Sequence, residues 1–389
     1  MDLGGTTTFL LVDASQGERV HALLKAQGWL EPHVEPLRAD EGLVGFPLVQ
    51  SSLASTVEGV VAKNLNVHGQ TVAVKATKRA SVDPHQRLNV ATEGWLEATG
   101  MEAHLADVVP TKWERLGDLA LLPYDHCSSD TWGRLRDHPE AANLWSAMAE
   151  ALKVSALGVQ APIANDTFRS SQVEMLLGSS EVQFTDHGMT YTFDAAKVMF
   201  SSGNVTERRR IGAMNMQGEV VVDAYAGVGY YTFPMLVHAG AAHVHACEIN
   251  PASLAGLRAG AAANAIEDRL TVHEGDNRKT LANLRAQADR CHLGLLPSSE
   301  PVWEACLLAL KTTGGVLHVH MNVEEERIEA WTNQTVDRFR NMVEMHQLGF
   351  EVEALHLERV KWFAPRVRHV VLDLSLRPSL NHHRQVRPR

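Results

Sequence analysis

The chain has 389 residues, 45% of them apolar, and a net charge of −10, which allows two or three globular domains and argues mildly against nucleic acid, although binding needs only a local basic face. No apolar run approaches the ~20 residues of a membrane helix, and the start MDLGGTTTFLLVDASQ carries neither a signal peptide nor an Arg-rich transit peptide. Cys127, Cys247, Cys291 and Cys306 lie too far apart for a zinc site or a disulfide scaffold, so no metal is expected and a reducing, cytoplasmic setting is.

In chain order, FLLV at 9–12 reads as a strand, 16–28 as an amphipathic helix with Val20, Leu23 and Leu24 on one face, and LVGFPLV at 43–49 as another strand. These make a small α/β accessory module over 1–90. Its polar part, 50–90, contains Ser51, Ser52, Ser55 and the basic Lys75, Lys78 and Arg79, and reads as a linker or surface insertion. An intermediate α/β domain follows over 91–205. It begins with VVPTKWERLGDLALLP from Val108, continues with a helix near 144–156, and ends in an alternating stretch at 181–200. That stretch is a hairpin turning at Asp186-His187-Gly188, with glycine where a positive φ is useful.

The third unit, 206–378, alternates regularly. Strands are predicted at 220–225, 243–249, 270–274, 291–296 and 315–321, and helices from near Tyr230, Pro251, Asn277 and Pro301. The two prolines suit a first helical turn. The alternation predicts a parallel, doubly wound α/β sheet. A long helix near 325–346 precedes two β-rich runs, 350–360 and 368–376, joined by a short loop. The basic tail, 379–389, is expected to be disordered.

Residues 220–250, VVVDAYAGVGYYTFPMLVHAGAAHVHACEIN, point to a nucleotide-type ligand. A strand ends in Asp223, a turn carries Gly227 and Gly229, a helix follows, and a second strand ends in Glu248. The turn lacks the third glycine of the dinucleotide fingerprint. That favours S-adenosylmethionine (SAM), which has no pyrophosphate to cradle, over NAD. Asp223, Gly227 and Gly229 would bring backbone close to the methionine moiety, and Glu248 would accept the ribose hydroxyls. After the third strand, Asp276 and Asn277 would read the adenine edge; a plain helix N-cap is the alternative, and the two can coexist.

Three further stretches stay open. LGLLPSSE at 293–300 faces the reacting centre of such a sheet, or is a Pro-Ser turn in which Ser298 or Ser299 caps a helix. His318 and His320 flank Val319 and so share one strand face, as buried core residues or as a catalytic base. KVMFSSGNVTERRR at 197–210 offers a Ser201–Asn204 turn followed by three arginines, Arg208–Arg210, as a carboxylate clamp, or a solvated charged face.

From about Pro110 to Pro378 the chain resembles the eukaryotic wybutosine-synthesising aminocarboxypropyl transferases, relatives of the tRNA guanosine-37 N1-methyltransferases. The resemblance rests on KWERLGDLALLP, FRSSQVEMLLG, TFDAAKVMFSSGNVTERRR, VVVDAYAGVGYYT, ACEINP, GDNRK, LGLLPSSE, GGVLHVHMNV and KWFAPRVRHVVLDLSLRP. It implies the seven-stranded Rossmann-type sheet of class I SAM-dependent methyltransferases, with the last two runs as antiparallel strands six and seven. It implies SAM contacts at Ser201, Arg208, Glu248, Asp276 and Asn277, Arg208 standing where the family commonly has Lys.

The activity implied is transfer of the 3-amino-3-carboxypropyl group of SAM to 4-demethylwyosine at position 37 of phenylalanine tRNA, with release of methylthioadenosine. Glu300 and His320 are possible bases for the ring-carbon proton. The alternatives are N1-guanosine methylation, whose fourth-strand loop usually reads Asn-x-Pro where this chain has Gly294-Leu295-Leu296-Pro297, and RNA binding on a non-catalytic fold. An RNA partner would meet Lys75, Lys78, Arg79, Arg208–Arg210, Lys361, Arg366, Arg368 and the tail from Arg377. Trp362 and Phe363 would then stack on a splayed base or belong to the core.

Overall fold

The computed structural model describes residues 6–31, 34–39, 42–75, 83–161, 171–200 and 202–379. Ser201, Lys78, Arg79 and the tail from 380 lie outside them. Met1–Arg87 and Leu88–Arg389 are two compact units.

In the first unit an antiparallel sheet runs in the order Leu37–Ala39, Leu43–Pro47, Thr6–Asp13, Gln70–Lys75. Helices Gly17–Ala26 and Ala54–Leu65 cover it, burying Val20, Leu24, Val57 and Val61 against Leu10, Val12 and Phe46. The described part 50–75 of the stretch 50–90 is therefore not a linker. Its helix buries Val57 and Val61 four residues apart, on one helical face, and its strand pairs along the full length of Thr6–Leu11. The polar residues between had masked the periodicity.

The second unit opens with a four-stranded sheet, Glu114–Leu116, Leu119–Leu122, Ala156–Val159 and Glu174–Leu177. Beside it Trp132 stacks on Trp145 at 5.3 Å. The helix expected near 144–156 is Ala141–Leu152, ended by Lys153 in the left-handed region, and Ala156 already starts a strand. The hairpin pairs Glu181–Asp186 with Met189–Asp194. His187 and Gly188 both have positive φ, 55° and 75°, the requirement of a two-residue turn matching strand twist.

The large sheet has seven strands: β1 Val220–Asp223, β2 His243–Glu248, β3 Leu270–Glu274, β4 Arg290–Leu293, β5 Gly315–Glu324, β6 Phe350–Ala364 and β7 Val367–Pro378. Their order is β3-β2-β1-β4-β5-β7-β6. The first five are parallel and β7 is antiparallel to both neighbours. Helices on both faces explain why β1 and β4 read as unbroken runs rather than alternating ones. Val221, Val222, Cys291 and Leu293 are all fully buried. The strand order reverses between β1 and β4, which opens a crevice at their C-terminal ends. Among the described residues no helix is long and apolar enough to cross a membrane.

Candidate functional site

A cavity of about 510 Å³ lies at that crevice. The turn after β1 supplies Ala224, Tyr225 and Gly227, β2 ends in Glu248, Gly275–Arg278 follow β3, and Gly294–Leu296 follow β4. Asn204 and Arg208, with Lys361 and Phe363 of β6, complete the lining.

Gly227 has φ 56°, and a Cβ there would run into the Tyr230 ring. The turn therefore needs glycine both for its backbone and for its packing. Glu248 Oε2 accepts the Gly227 N–H at 2.7 Å, while Oε1 accepts the N–H groups of Ile249 at 2.8 Å and Asn250 at 2.7 Å. Burial pushes the Glu248 carboxyl above its ordinary range, and the three amides oppose that. Each carboxylate oxygen accepts about two hydrogen bonds. Oε1 is therefore filled, and Oε2 keeps one lone pair.

Asp276 caps the helix Asn277–Thr280 through the Arg278 N–H at 3.0 Å, and the Arg278 guanidinium, 2.6 Å away, holds its carboxyl down at about 2. Asn277 Nδ2 donates to the Ala224 carbonyl at 2.8 Å and so ties the β3 loop to the β1 turn. Both side chains line the cavity, and Asp276 is also the cap.

Arg208 lines the cavity too, yet is only 2% exposed. Its Nη2 meets Asp186 Oδ2 at 2.8 Å and its guanidinium lies over Phe200 at 5.0 Å. The solvated-face reading fails for this residue. Arg210 is pinned between Glu207 and Asp373 at 2.7 and 2.6 Å. Of the expected residues, Asp223 and Gly229 do not line the cavity. Asp223 is fully buried, with Oδ2 accepting from Thr232 at 2.8 Å. Gly229 makes room for the Phe233 ring, which a Cβ would meet at 2.5 Å.

The β4 loop divides its tasks. Gly294, Leu295 and Leu296 face the cavity, with the Leu296–Pro297 peptide cis. Ser299 holds the cap position of the short turn Glu300–Val302 without a side-chain cap bond, its Oγ accepting instead from Trp303 Nε1 at 3.0 Å, while Ser298 Oγ accepts the Glu300 N–H at 3.2 Å. Glu300 is absent from the cavity lining and pairs with Arg338. His318 donates from Nδ1 to Asp373 at 2.6 Å and accepts from Arg290 at 2.9 Å. It is a satisfied core histidine. His320 is equally buried, and among the described residues its ring bonds to two other imidazoles, His369 and His292, each at 3.0 Å.

Sequence reasoning missed Tyr230 and Tyr231 as cavity residues; their place directly after the glycine turn was the available signal. It read Lys361 only as an RNA-facing cation, and the cavity position of Lys361 depends on β6 folding back beside β7. Trp362 and Phe363 are not core residues: each is 53% exposed, and the Arg368 guanidinium sits 3.6 Å over the Trp362 ring.

Comparison with known proteins agrees with this architecture. Residues 183–352 match the TRM5/TYW2 methyltransferase domain and 95–181 the TYW2 N-terminal domain. The chain is 34% identical over 413 residues to the tRNA wybutosine-synthesizing protein 2 homolog of Danio rerio, covering 95% of this chain and 98% of that one. It is 38% identical over 301 residues to the tRNA wybutosine-synthesizing protein 2/3/4 of Arabidopsis thaliana, covering 77% of this chain but only 30% of the plant protein's length. Among solved structures, P. horikoshii TYW2 in complex with MeSAdo is 28% identical with a TM-score of 0.60, covering 75% of this chain and 100% of that one. On these grounds the chain belongs to the tRNA wybutosine-synthesizing protein 2 family.

Proposed function

We propose that this chain transfers the 3-amino-3-carboxypropyl group of SAM to 4-demethylwyosine at position 37 of phenylalanine tRNA, leaving MeSAdo (methylthioadenosine). The observation that carries the reading is the MeSAdo complex of the 28% identical P. horikoshii relative. A thioether that keeps the methyl group is what remains when sulfur gives up its three-carbon chain.

In this reading Glu248 Oε2 takes a ribose hydroxyl, Asp276 and Asn277 read adenine, and Gly227 brings backbone to the ligand. Arg208 and Asn204 hold the amino-acid end. The sulfonium is already activated, so the protein's task is orientation. A buried guanidinium that clamps the carboxylate away from the usual methyl-presenting pose aims the γ-carbon at the acceptor. The anticodon loop would meet the exposed Trp362, Phe363 and Arg368 beside the cavity. The four cysteines are buried and free, which suits a cytoplasmic site of action.

The test is mass analysis of the small-molecule product after incubation with SAM and precursor tRNA. MeSAdo supports the reading. S-adenosylhomocysteine would replace it with methyl transfer, and neither product would leave RNA binding alone.

A further inference from the structure

Three buried imidazoles form a chain beneath the cavity. His369 Nε2 lies 3.0 Å from His320 Nδ1, and His320 Nε2 lies 3.0 Å from His292 Nε2. The free ring nitrogens at the two ends, His369 Nδ1 and His292 Nδ1, are buried without a hydrogen-bond partner among the described residues. His292 Nδ1 faces Asp223 Oδ1 at 3.8 Å.

Each end packs behind a residue that lines the cavity. At one end the Tyr231 ring, which lines the cavity, packs on His292 at 4.0 Å, and a Cβ on Gly294 would meet His292 Cε1 at 2.8 Å. At the other end His369 is the cross-strand partner of the cavity-lining Lys361.

The tautomers follow from the Asp223 carboxylate. A bare His292 Nδ1 would set lone pair against carboxylate, so that nitrogen carries the proton. A neutral imidazole has one donor and one acceptor, so His292 Nε2 accepts, His320 donates from Nε2 and accepts at Nδ1, and His369 donates from Nε2. His369 Nδ1 is then left bare at the Lys361 end. Burial lowers the proton affinity of His369 and His320 alike, which keeps those two rings neutral at rest.

We propose that this chain, His369–His320–His292 backed by Asp223, carries away the proton that leaves the acceptor carbon, an inference that rests on the aminocarboxypropyl reading above. In that reaction a C–C bond forms from the ring carbon to the γ-carbon. The γ-carbon–sulfur bond breaks, and its electron pair returns to sulfur as the neutral thioether. The alkylated ring is then cationic until its C–H electron pair returns to the ring and the proton departs. None of the three rings lines the cavity, so the proton passes behind Lys361 through a water that bridges the cavity to His369 Nδ1, unpartnered among the described residues. The His369 Nε2 proton passes to His320 Nδ1, and the His320 Nε2 proton to His292 Nε2. The positive charge so gained is balanced by Asp223. His320 acts only through its neighbours and is a positioning residue.

The test uses the full chain, SAM and precursor tRNA bearing hydrogen or deuterium at the reacting carbon. His320→Gln can bond to both neighbours but cannot pass a proton through. The expected result is a fall in kcat of about a hundredfold or more, an unchanged SAM Kd, and a primary deuterium isotope effect on kcat larger than the parent's, because proton loss has become slow. An unaltered kcat, or a fall with no gain in isotope effect, overturns the relay. If His320→Gln does not fold, His369→Gln at the end of the chain carries the same prediction. A parent protein that makes no MeSAdo from precursor tRNA would instead defeat the functional reading itself.

Discussion

Glu248 Oε2 accepts the Gly227 N–H at 2.7 Å, so the carboxylate that ends β2 holds the glycine turn that follows β1. One residue thus ties the end of β2 to the turn that lines the cavity, and in the proposed function its remaining lone pair takes a ribose hydroxyl. Glu248→Ala is expected to weaken SAM binding at least roughly tenfold, since one charge-assisted hydrogen bond is worth about 1.5–3 kcal/mol and about 1.4 kcal/mol is a factor of ten. It should also lower the melting temperature, because three backbone amides lose their acceptor. Calorimetry with SAM and a thermal melt read the two effects separately. Unchanged affinity would remove Glu248 from the site.

Arg208→Ala should raise the SAM KM and cut aminocarboxypropyl transfer. It also strands Asp186, whose carboxylate the guanidinium meets at 2.8 Å. Arg208→Lys restores charge without the planar fork, so an intermediate KM is expected. Steady-state kinetics of the parent and both variants check this, and wild-type values for Arg208→Ala would leave the residue a purely structural ion pair.

The buried histidines should make the protein acid-labile. His318 and His369 are each held down at about 4, chiefly by burial. Asp373 opposes the effect at His318, and Lys361 reinforces it at His369. An unfolded histidine titrates near 6.5. The folded state therefore binds fewer protons, and the stability this contributes is complete above about pH 6.5 and lost as the pH falls from there toward 4. Each group is worth on the order of 3 kcal/mol once the pH lies below both values. Melting temperatures at pH 7, 6 and 5 should fall in sequence; a flat profile would mean the imidazoles are not neutral in the fold.

Binding of tRNA should depend on salt in spite of the net charge of −10. A few phosphate contacts give a log–log slope of about −3 to −6. Trp362→Ala should weaken tRNA binding several-fold, because stacking one base is worth about 1–3 kcal/mol, and should leave SAM affinity unchanged. Titrations at several salt concentrations decide both points, and salt-independent or absent binding would exclude tRNA as the partner.

The sequence alone determined the local elements. Prolines at helix starts, the glycine turn and unbroken apolar strands act through contacts a few residues apart. They placed β1 to β5 within a few residues of the observed spans and brought Gly227, Glu248, Asp276 and Asn277 to one crevice. Only the tertiary structure decided what depends on strand pairing. Lys361 and Phe363 reach the cavity because β6 folds back beside β7. Asp223 drops beneath the turn and faces His292, 69 residues further along. His292, His320 and His369 join because β4, β5 and β7 lie side by side. His320, which the sequence left open as a core residue or a base, joins His292 and His369 into a chain only when the register of three strands sets ring nitrogens 3.0 Å apart, a relation that spacing along the chain does not encode.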